Sequence, residues 1–568
     1  MAKDRLLARG VTGTKRQRSG KPLAPQRRGG QAAAKPSGRR ARAADKGSES
    51  EDNVGDIGDL EHRYGTDTDE ASSSDEDALL ESAAEKRLRL AKEYIGKVKA
   101  STEVDSGEYD AAQIDRDLIA ERLMTDAKER SGRWSRRIAA SFAYPVEEAK
   151  AVRVLRDGHR LPVTSVAVTP DGRFVYSGSK DGSLIKWQRD SGAKLKVFYG
   201  QNRGKKRQAP NYRLGHCDHI LAIAVSSDSR FVATGGRDRR IHIWSVDDDT
   251  HLAVFHQHKD AVTGLAFRHG ANQLYSCSAD RMVKLWNIDE LGYMDTLFGH
   301  QDGAMSISTL YREQAVTTGG RDKTVRLWKI ADEAQLVFRG GSTTDQHRIT
   351  KALSEGRSEG AEGPHAVVQT PLAKTATAAH ADTLRRLAAA GVEFAEQCID
   401  CVAMIDEETY VTGGDSGALS LWSMHKKKPV FIHHVSHGVR LGAGDEGDGE
   451  GVVDGPPPQP HWITALAAVP FTDLFFSASS DGCIRMWQMR PGRAPGFDLV
   501  NAIPVTGYVN SLSVCELPAE DPMSARRDIV LAAAAGQEPR MGRWEKCTAR
   551  NVVKLVHFSP LPPTKARS

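Results

Sequence analysis

The stretch from Tyr275 to Trp286, YSCSADRMVKLW, decides the fold, because close variants of it recur along the chain. Each variant is a short apolar run, a turn with Gly, Ser and an acid, and an alternating segment that ends in Trp. The variants are YSGSKDGSLIKW (176–187), ATGGRDRRIHIW (233–244), VTTGGRDKTVRLW (316–328), VTGGDSGALSLW (411–422), FSASSDGCIRMW (476–487) and the degraded AAGQEPRMGRW (534–544). Self-similarity with a shortest spacing of 42 residues, as from Trp244 to Trp286, predicts one supersecondary unit stacked repeatedly.

The first unit shows what is repeated. Four short strands joined by tight turns are predicted at Ala151–Arg156, Val163–Thr169, Phe174–Ser179 and Leu184–Gln188. Such four-stranded units are typical of WD-repeat blades. We therefore predict an all-β fold, a seven-bladed WD40 β-propeller over residues 150–560.

Two long connections interrupt the repeat, at about 341–390 and at 438–460. Both are predicted to be insertions between blades, the first with a short helix around Ala381–Ala390 and the second a flexible linker. The ring can be closed by Ala151–Arg156, by Val552–Phe558, or by both.

The N-terminal part has a different composition. Residues 1–78 are poor in aromatics and are predicted to be disordered. Residues 1–48 carry fourteen Lys or Arg against two Asp, and an acidic stretch follows, which favours nucleic-acid contact or nuclear import. Ser72–Ser74 precede Asp75-Glu76-Asp77 and resemble an acidophilic kinase site. Residues 79–132 are predicted to be helical, with an apolar stripe that packs on the propeller or binds a partner protein.

The composition excludes several classes of protein. The chain has 568 residues and a net charge of +5, and it contains no apolar run long enough to cross a membrane. Its seven cysteines lie at unrelated spacings, which indicates a reducing compartment.

The recurring polar residues are predicted to be structural. A His, a Ser or Thr, an Asp and the Trp of each blade are expected to form a buried hydrogen-bonded chain. The predicted members are His159, His258 and His300; Ser177, Thr234, Ser276, Thr318 and Ser477; Asp181, Asp238, Asp280, Asp322 and Asp481; and Trp187, Trp244, Trp286, Trp328, Trp422, Trp487 and Trp544. A Ser-His-Asp catalytic triad is the alternative, but recurrence in nearly every blade argues for a scaffold.

Other candidate chemistry is weak. Cys398 and Cys401 lie three apart on a predicted strand and would face opposite sides. His433, His434 and His437 lie beside the second insertion without further ligands at metal spacing. We therefore expect no catalytic residue, metal, cofactor or small-molecule substrate.

The positive signal is basic charge in the turns that share one face of a propeller. Arginines donate to phosphate in a fork, and Tyr212 can stack on a base. The predicted RNA- or partner-binding residues are Arg203, Lys205, Lys206, Arg207, Arg237, Arg239, Arg240, Arg281, Arg321, Lys323, Gln537, Arg540 and Arg543. Lys426-Lys427-Lys428 falls on the opposite face and is either a second contact or merely solubilising.

Several phrases point to a family. DAVTGLAFRHGANQLYSCSADRMVKLWNI, TLFGHQDGAM, GGRDKTVRLWKI, EKRLRLAKEYI and the closing GQEPRMGRW resemble the WD-repeat protein of the U3 small nucleolar ribonucleoprotein, over roughly residues 85–560. The resemblance implies a nucleolar protein that binds the box B/C stem of the U3 RNA beside a small core RNA-binding protein. It implies action with other small-subunit processome proteins in pre-ribosomal RNA processing and small-subunit assembly. Gln537, Arg540 and Arg543 match the family's last-blade motif and are carried over as contacts.

One alternative from another class stays open. A WD-repeat adaptor for degradation or signalling would bind proteins without touching RNA, and it predicts an uncharged recognition face.

Overall fold

The computed structural model describes residues 136–142, 152–156, 158–200, 214–341, 343–344, 371–390, 394–440, 459–490, 496–518, 527–543 and 546–560. The predicted arm at 1–78, the serines at 72–74 and the predicted helices at 79–132 lie outside these residues. Among the described residues, no helix is long and apolar enough to cross a membrane.

Seven antiparallel sheets of four strands make up the fold, which confirms the seven-bladed propeller. Blade 1 contains β2 (Val163–Val168), β3 (Phe174–Ser179), β4 (Leu184–Gln188) and β5 (Lys194–Phe198). Blade 2 contains β6 (Ile220–Val225), β7 (Phe231–Gly236), β8 (Ile241–Ser245) and β9 (His251–Phe255). Blade 3 contains β10 (Val262–Phe267), β11 (Gln273–Ser278), β12 (Met282–Asn287) and β13 (Gly292–Phe298).

The next three blades follow the same order. Blade 4 contains β14 (Ala304–Thr309), β15 (Gln314–Gly319), β16 (Thr324–Lys329) and β17 (Ala334–Arg339). Blade 5 contains β20 (Ile399–Met404), β21 (Thr409–Gly414), β22 (Leu419–Ser423) and β23 (Phe431–His433). Blade 6 contains β26 (Ala465–Ala468), β27 (Leu474–Ala478), β28 (Cys483–Met489) and β29 (Phe497–Pro504).

Blade 7 joins the two ends of the domain. Its strands run in the order β30 (Tyr508–Glu516), β31 (Ile529–Gly536), β32 (Val552–Phe558) and β1 (Val152–Leu155). Both candidates for ring closure are therefore used, the C-terminal one as third strand and the N-terminal one as outer strand. The prediction that Trp544 ends the third strand is wrong, because this strand begins only at Val552; Trp544 itself is not described.

Hydrogen bonds between neighbouring inner strands hold the ring together. A register shift lies near the first residues of six inner strands: β2, β6, β10, β14, β20 and β30. The shift turns the next side chain towards the adjacent blade. Thr164 and Thr263 donate to the carbonyls of Ile220 and Ala304 (2.5 and 2.6 Å). Asn510 donates to Val163 O at 2.8 Å and so links blade 7 to blade 1.

Both insertions leave the ring on a short two-stranded stem. β18 (Thr343–Thr344) pairs with β19 (Phe394–Ala395), and β24 (Val439–Arg440) pairs with β25 (Gln459–Pro460). These stems keep the blades on either side in register. The first insertion carries the helix α1 (Pro371–Ala390), which is longer than predicted because its Ala-rich N-terminal half is helical too and begins at a Pro.

A segment before the first blade also docks on the propeller. A 3-10 helix at Ala139–Phe142 packs into the core between blades 6 and 7. Asp473 accepts the backbone N–H groups of Ile138 and Ala139 at 2.8 and 3.0 Å, and Arg136 forms an ion pair with Glu516. The chain just after the predicted helices is thus fixed to the domain.

Buried polar chains are present in five blades, although in blade 1 His159 reaches Asp181 only through the hydroxyl of Ser183, which was not predicted. In blade 3, the indole N–H of Trp286 donates to Ser276 Oγ (2.9 Å), which lies 2.8 Å from Nε2 of His258, and Nδ1 of His258 donates to Asp280 (2.9 Å). Burial raises the pKa of the matching Asp322 in blade 4, but the hydrogen bonds from His300 and Thr324 and the charge of His300 together lower it to about 2. The pKa values of Asp238, Asp280 and Asp481 are lowered as well, so these aspartates are ionised parts of the scaffold.

Three members of these chains differ from the prediction. In blade 4 the hydroxyl is that of Thr317, not Thr318, because the turn before Asp322 is one residue longer than in the other blades. Blade 2 uses His216, which the repeat pattern had not identified. Blade 6 uses His437, which lies before the second insertion and bonds Ser477 and Asp481 (both 2.8 Å) across it.

Blades 5 and 7 depart from the pattern. In blade 5, the indole N–H of Trp422 still donates to Thr412 (2.8 Å). The backbone N–H of Gln397 donates to Asp415, as the residue after the histidine does in blade 3. The position of the histidine is therefore taken by the buried Glu396. Cys398 and Cys401 are free thiols.

Candidate nucleic-acid interface

One face of the ring, here called the upper face, is built from two kinds of loop. The turns between second and third strands lie against the connections that enter each blade. Backbone hydrogen bonds fix this arrangement, from Arg237 N to His219 O (2.8 Å) in blade 2 and from Ala279 N to Ala261 O (2.9 Å) in blade 3. Basic residues in either kind of loop therefore share one surface.

The predicted contact residues fall into three groups. The exposed ones are Arg237, Arg239, Arg281, Arg321 and Arg543. The half-buried ones are Arg240, Lys323, Gln537 and Arg540. Arg203, Lys205, Lys206, Arg207 and Tyr212 lie outside the described residues.

Three basic residues occupy a strained backbone position. The fifth residue before the blade tryptophan has a positive φ in six blades. Blades 1, 5 and 6 place Gly182, Gly417 and Gly482 there, with φ of 76°, 67° and 83°. Blades 2, 3 and 4 instead place Arg239, Arg281 and Lys323 there, with φ of 67°, 70° and 54°. A side chain in this region costs about 1 kcal/mol or more relative to Gly, so three adjacent blades carry a cation where the backbone favours Gly.

A cluster of cations lies over blade 1. Lys180 is buried, donates to Gly542 O (2.7 Å) and forms an ion pair with Glu538 (3.2 Å), which joins the turns of blades 1 and 7. Burial lowers the pKa of Lys180, and the charges of Arg543 and Arg237 lower it further. Burial and the same three cations also lower the pKa of His219, against the opposing charge of Asp218. Blades 7, 1 and 2 thus focus positive charge on one spot.

Arg540 points elsewhere. Its guanidinium donates to the carbonyl of Met305, on the inner strand of blade 4, and interacts with Asp400 on the inner strand of blade 5. Burial, and then the charge of Asp415, raises the pKa of Asp400 to about 6, and the charge of Arg540 opposes this. Arg540 therefore lies among the inner strands, whereas Arg543 is exposed.

A cleft opens on the upper face between blades 6 and 7. Its volume is about 250 Å³, and its lining comprises Arg440, His461, Ser480, Gly507, Tyr508, Lys546 and Cys547. Trp462, which follows His461, is 43% exposed. Sequence reasoning missed Arg440, Lys546 and Trp462. No sequence signal joined them, because Arg440 and Lys546 lie far apart in the chain and meet only in the folded ring.

The family comparisons agree with the blade structure. The model "WD domain, G-beta repeat" matches residues 149–188, 208–245, 249–287, 292–329 and 458–488. The matches end in the tryptophan-bearing strands of blades 1, 2, 3, 4 and 6. Among the described residues, blades 5 and 7, which lie outside these matches apart from β1, are the two without a complete His-to-Trp chain.

Relatives match over most of the chain. It is 41% identical over 488 residues to U3 small nucleolar RNA-interacting protein 2 of Homo sapiens, covering 85% of this chain and 84% of the human protein. It is 30% identical over 534 residues to Ribosomal RNA-processing protein 9 of Saccharomyces cerevisiae, covering 84% and 89%. A solved structure described as the crystal structure of RRP9 WD40 repeats superposes with a TM-score of 0.55 at 36% identity, covering 73% of this chain and 99% of that one.

Proposed function

Because this chain belongs to the WD-repeat family of U3 small nucleolar RNA-interacting proteins, we propose that it is a non-catalytic scaffold that binds the U3 RNA directly. It binds the box B/C stem together with a small core RNA-binding protein of the particle. It acts in the nucleolus, with other proteins of the small-subunit processome, in pre-ribosomal RNA processing and small-subunit assembly.

One observation carries the RNA contact. Arg239, Arg281 and Lys323 lie in adjacent blades at a position where other blades use Gly. A strained residue persists when the side chain has a use that outweighs the strain. Three cations on one face are spaced by the blade repeat, which suits a folded RNA whose phosphates pass over successive blades.

The exposed arginines over blade 1 extend this surface. Arg237 and Arg543 both repel the charge of Lys180, and Glu538, at 3.2 Å from Lys180 and 3.6 Å from Arg543, opposes this repulsion. A phosphate placed there relieves this repulsion. Lys180 and Glu538 hold the two turns in place and are positioning residues.

The cleft between blades 6 and 7 supplies a second kind of contact. Arg440 and Lys546 line it with positive charge, and the exposed Trp462 offers a flat apolar surface. An unpaired nucleotide at the end of a stem can place its phosphate in the cleft and stack its base on the indole. Stacking of this kind contributes about 1–3 kcal/mol per base.

The test measures binding of the full chain to transcribed U3 box B/C RNA carrying its core protein. In the double variant Arg237→Ala/Arg543→Ala, we expect at least a tenfold loss of affinity. The slope of log affinity against log salt becomes shallower by about one per lost phosphate contact. The control is Lys426→Ala/Lys427→Ala, which removes the same charge from the opposite face and leaves both quantities unchanged.

Two outcomes contradict the proposal. Equal affinity for an unrelated stem RNA would leave only non-specific binding. If crosslinking in cells recovers scattered messenger RNA and no U3 RNA, the chain is instead a protein–protein adaptor without direct RNA contact.

A further inference from the structure

Blade 2 contains a cluster of two histidines and an aspartate that could share a metal ion. His216 and Asp238 belong to the buried polar chain, with Nδ1 of His216 at 3.1 Å from the carboxylate. His242, on β8, joins them, so that one ligand atom from each of the three residues lies within 4.8 Å of the other two. The rings of His216 and His242 are 4.3 Å apart between centroids.

One nitrogen in this cluster has no partner. His242 is only 2% exposed, and its Nε2 forms no hydrogen bond with any described residue. Its Nδ1 lies 3.0 Å from Nε2 of His251 on β9. Leaving a buried polar atom unpaired costs about 1–3 kcal/mol, so this site calls for a ligand.

Blade 6 shows a cation beside the matching aspartate. The residue two before the tryptophan is His242 in blade 2 and Arg485 in blade 6, whereas Lys284 at this position in blade 3 donates to Thr296. In blade 6 the guanidinium of Arg485 reaches the matching Asp481 at 3.2 Å. A cation therefore occupies this place in blade 6, and His242 has no fixed charge with which to replace it.

We propose that His216, Asp238 and His242 bind one Zn²⁺ ion, which links the entry of blade 2 to its third strand. Two imidazoles and a carboxylate are a ligand set that zinc prefers, with water as the fourth ligand. Ligand atoms that share a tetrahedral zinc at about 2.1 Å lie about 3.4 Å apart, so atoms that are up to 4.8 Å apart here move closer by up to about 1.4 Å when zinc binds.

The protonation states suit a metal. Burial and the neighbouring His216 hold the pKa of His242 well below its usual value, so its ring is neutral. His251 fixes the other nitrogen of His242, as partners of metal-binding histidines do. Zinc binding at Nδ1 of His216 moves the ring proton to Nε2, where the hydroxyl oxygen of Thr234 lies at 2.9 Å, and affinity falls as the pH is lowered because protons compete for the ligands.

The site lies next to the proposed RNA surface. His216 follows the connection that holds Arg203–Arg207, and Asp238 lies between Arg237 and Arg239 in the turn. A bound zinc would fix both loops and add positive charge between them. The inference does not depend on RNA binding, since the ion is detected on the free protein.

The test titrates the metal-free full chain with Zn²⁺, and with Co²⁺ as a spectroscopic probe. We expect one equivalent to bind, a tetrahedral Co²⁺ absorption without thiolate bands, and a higher melting temperature with zinc. His242→Arg, which installs the residue of blade 6, abolishes all three effects while keeping a cation beside Asp238. His251→Gln weakens affinity about 10–100-fold.

The matched control is His256→Gln, an exposed histidine in the same blade, which leaves binding unchanged. Failure of the wild-type chain to bind one equivalent overturns the proposal. Undiminished binding by His242→Arg also overturns it, because the ion would then lie elsewhere. X-ray absorption of the zinc-loaded wild type is independent of any variant and must show only nitrogen and oxygen ligands, at about 2.0–2.2 Å.

Discussion

The guanidinium of Arg540, from blade 7, donates a hydrogen bond to the backbone carbonyl of Met305, on the inner strand of blade 4, at 3.3 Å. These blades lie on opposite sides of the ring. The same side chain interacts with Asp400 of blade 5. A turn that sequence reasoning assigned wholly to RNA binding thus also links blades that share no strand contacts.

Replacing Arg540 should therefore lower the free energy of unfolding much more than replacing Arg543. Arg540→Ala removes the bond to Met305 and leaves Asp400 without its cation, and we expect a loss of about 2 kcal/mol or more in the free energy of unfolding. Arg543→Ala removes an exposed charge and should change stability by less than about 0.5 kcal/mol. Denaturant unfolding of both variants checks this, and equal losses would contradict it.

Asp400 gives the domain a distinctive pH dependence. Its pKa is raised from 3.8 to about 6 by burial and by Asp415, so the folded state binds the proton more tightly than the unfolded chain. Its ionisation therefore destabilises the fold as the pH rises from about 4 to about 6, by on the order of 3 kcal/mol. Asp400→Asn should be more stable than wild type at pH 7.5, and the gain should vanish near pH 4.

The control for this prediction is Asp260→Asn, an exposed carboxylate on the same face. Its stability should follow the wild-type profile between pH 4 and 7.5. A parallel gain in both variants would point to general charge repulsion and not to Asp400.

The blades could be predicted because their signals are local. The spacing from Asp280 to Trp286 and the alternation between them lie within one hairpin and recur. The role of His437 could not be read this way, because an insertion separates it in sequence from Ser477 and Asp481. The stem of β24 and β25 restores their proximity, and only the folded chain shows it.

The upper face was predicted in outline but not in detail. Strand order places Arg237 and Arg543 on one face, but it does not show that Arg540 turns inwards to Met305. The backbone strain at Arg281 could have been predicted from the sequence, since Gly182 and Gly482 are likewise the fifth residue before their tryptophans. Comparing blades position by position would have found it.

Thr317 and Thr318 offer a test of the polar chain. Thr317 accepts the indole N–H of Trp328 (2.7 Å) and lies 2.8 Å from Nε2 of His300. Thr318 is equally buried, but its hydroxyl has no partner among the described residues. Thr317→Val should cost about 2–3 kcal/mol, while Thr318→Val should be neutral or stabilising, because only the first leaves buried groups unpaired. Thermal unfolding distinguishes them, and a larger loss at Thr318 would refute the assigned chain.

Arg281 should show a trade-off between stability and binding. Arg281→Gly removes the strain of a positive φ, and we expect the free energy of unfolding to stay level or rise by up to about 1 kcal/mol. The same change removes a cation from the upper face, so affinity for U3 RNA should fall and its salt dependence should weaken. Gly182→Ala is the reverse control, since its φ is 76° and a Cβ there would lie 3.0 Å from Asp218 O, so it should lose stability. Unchanged RNA affinity in Arg281→Gly would mean that the strained cation serves another purpose.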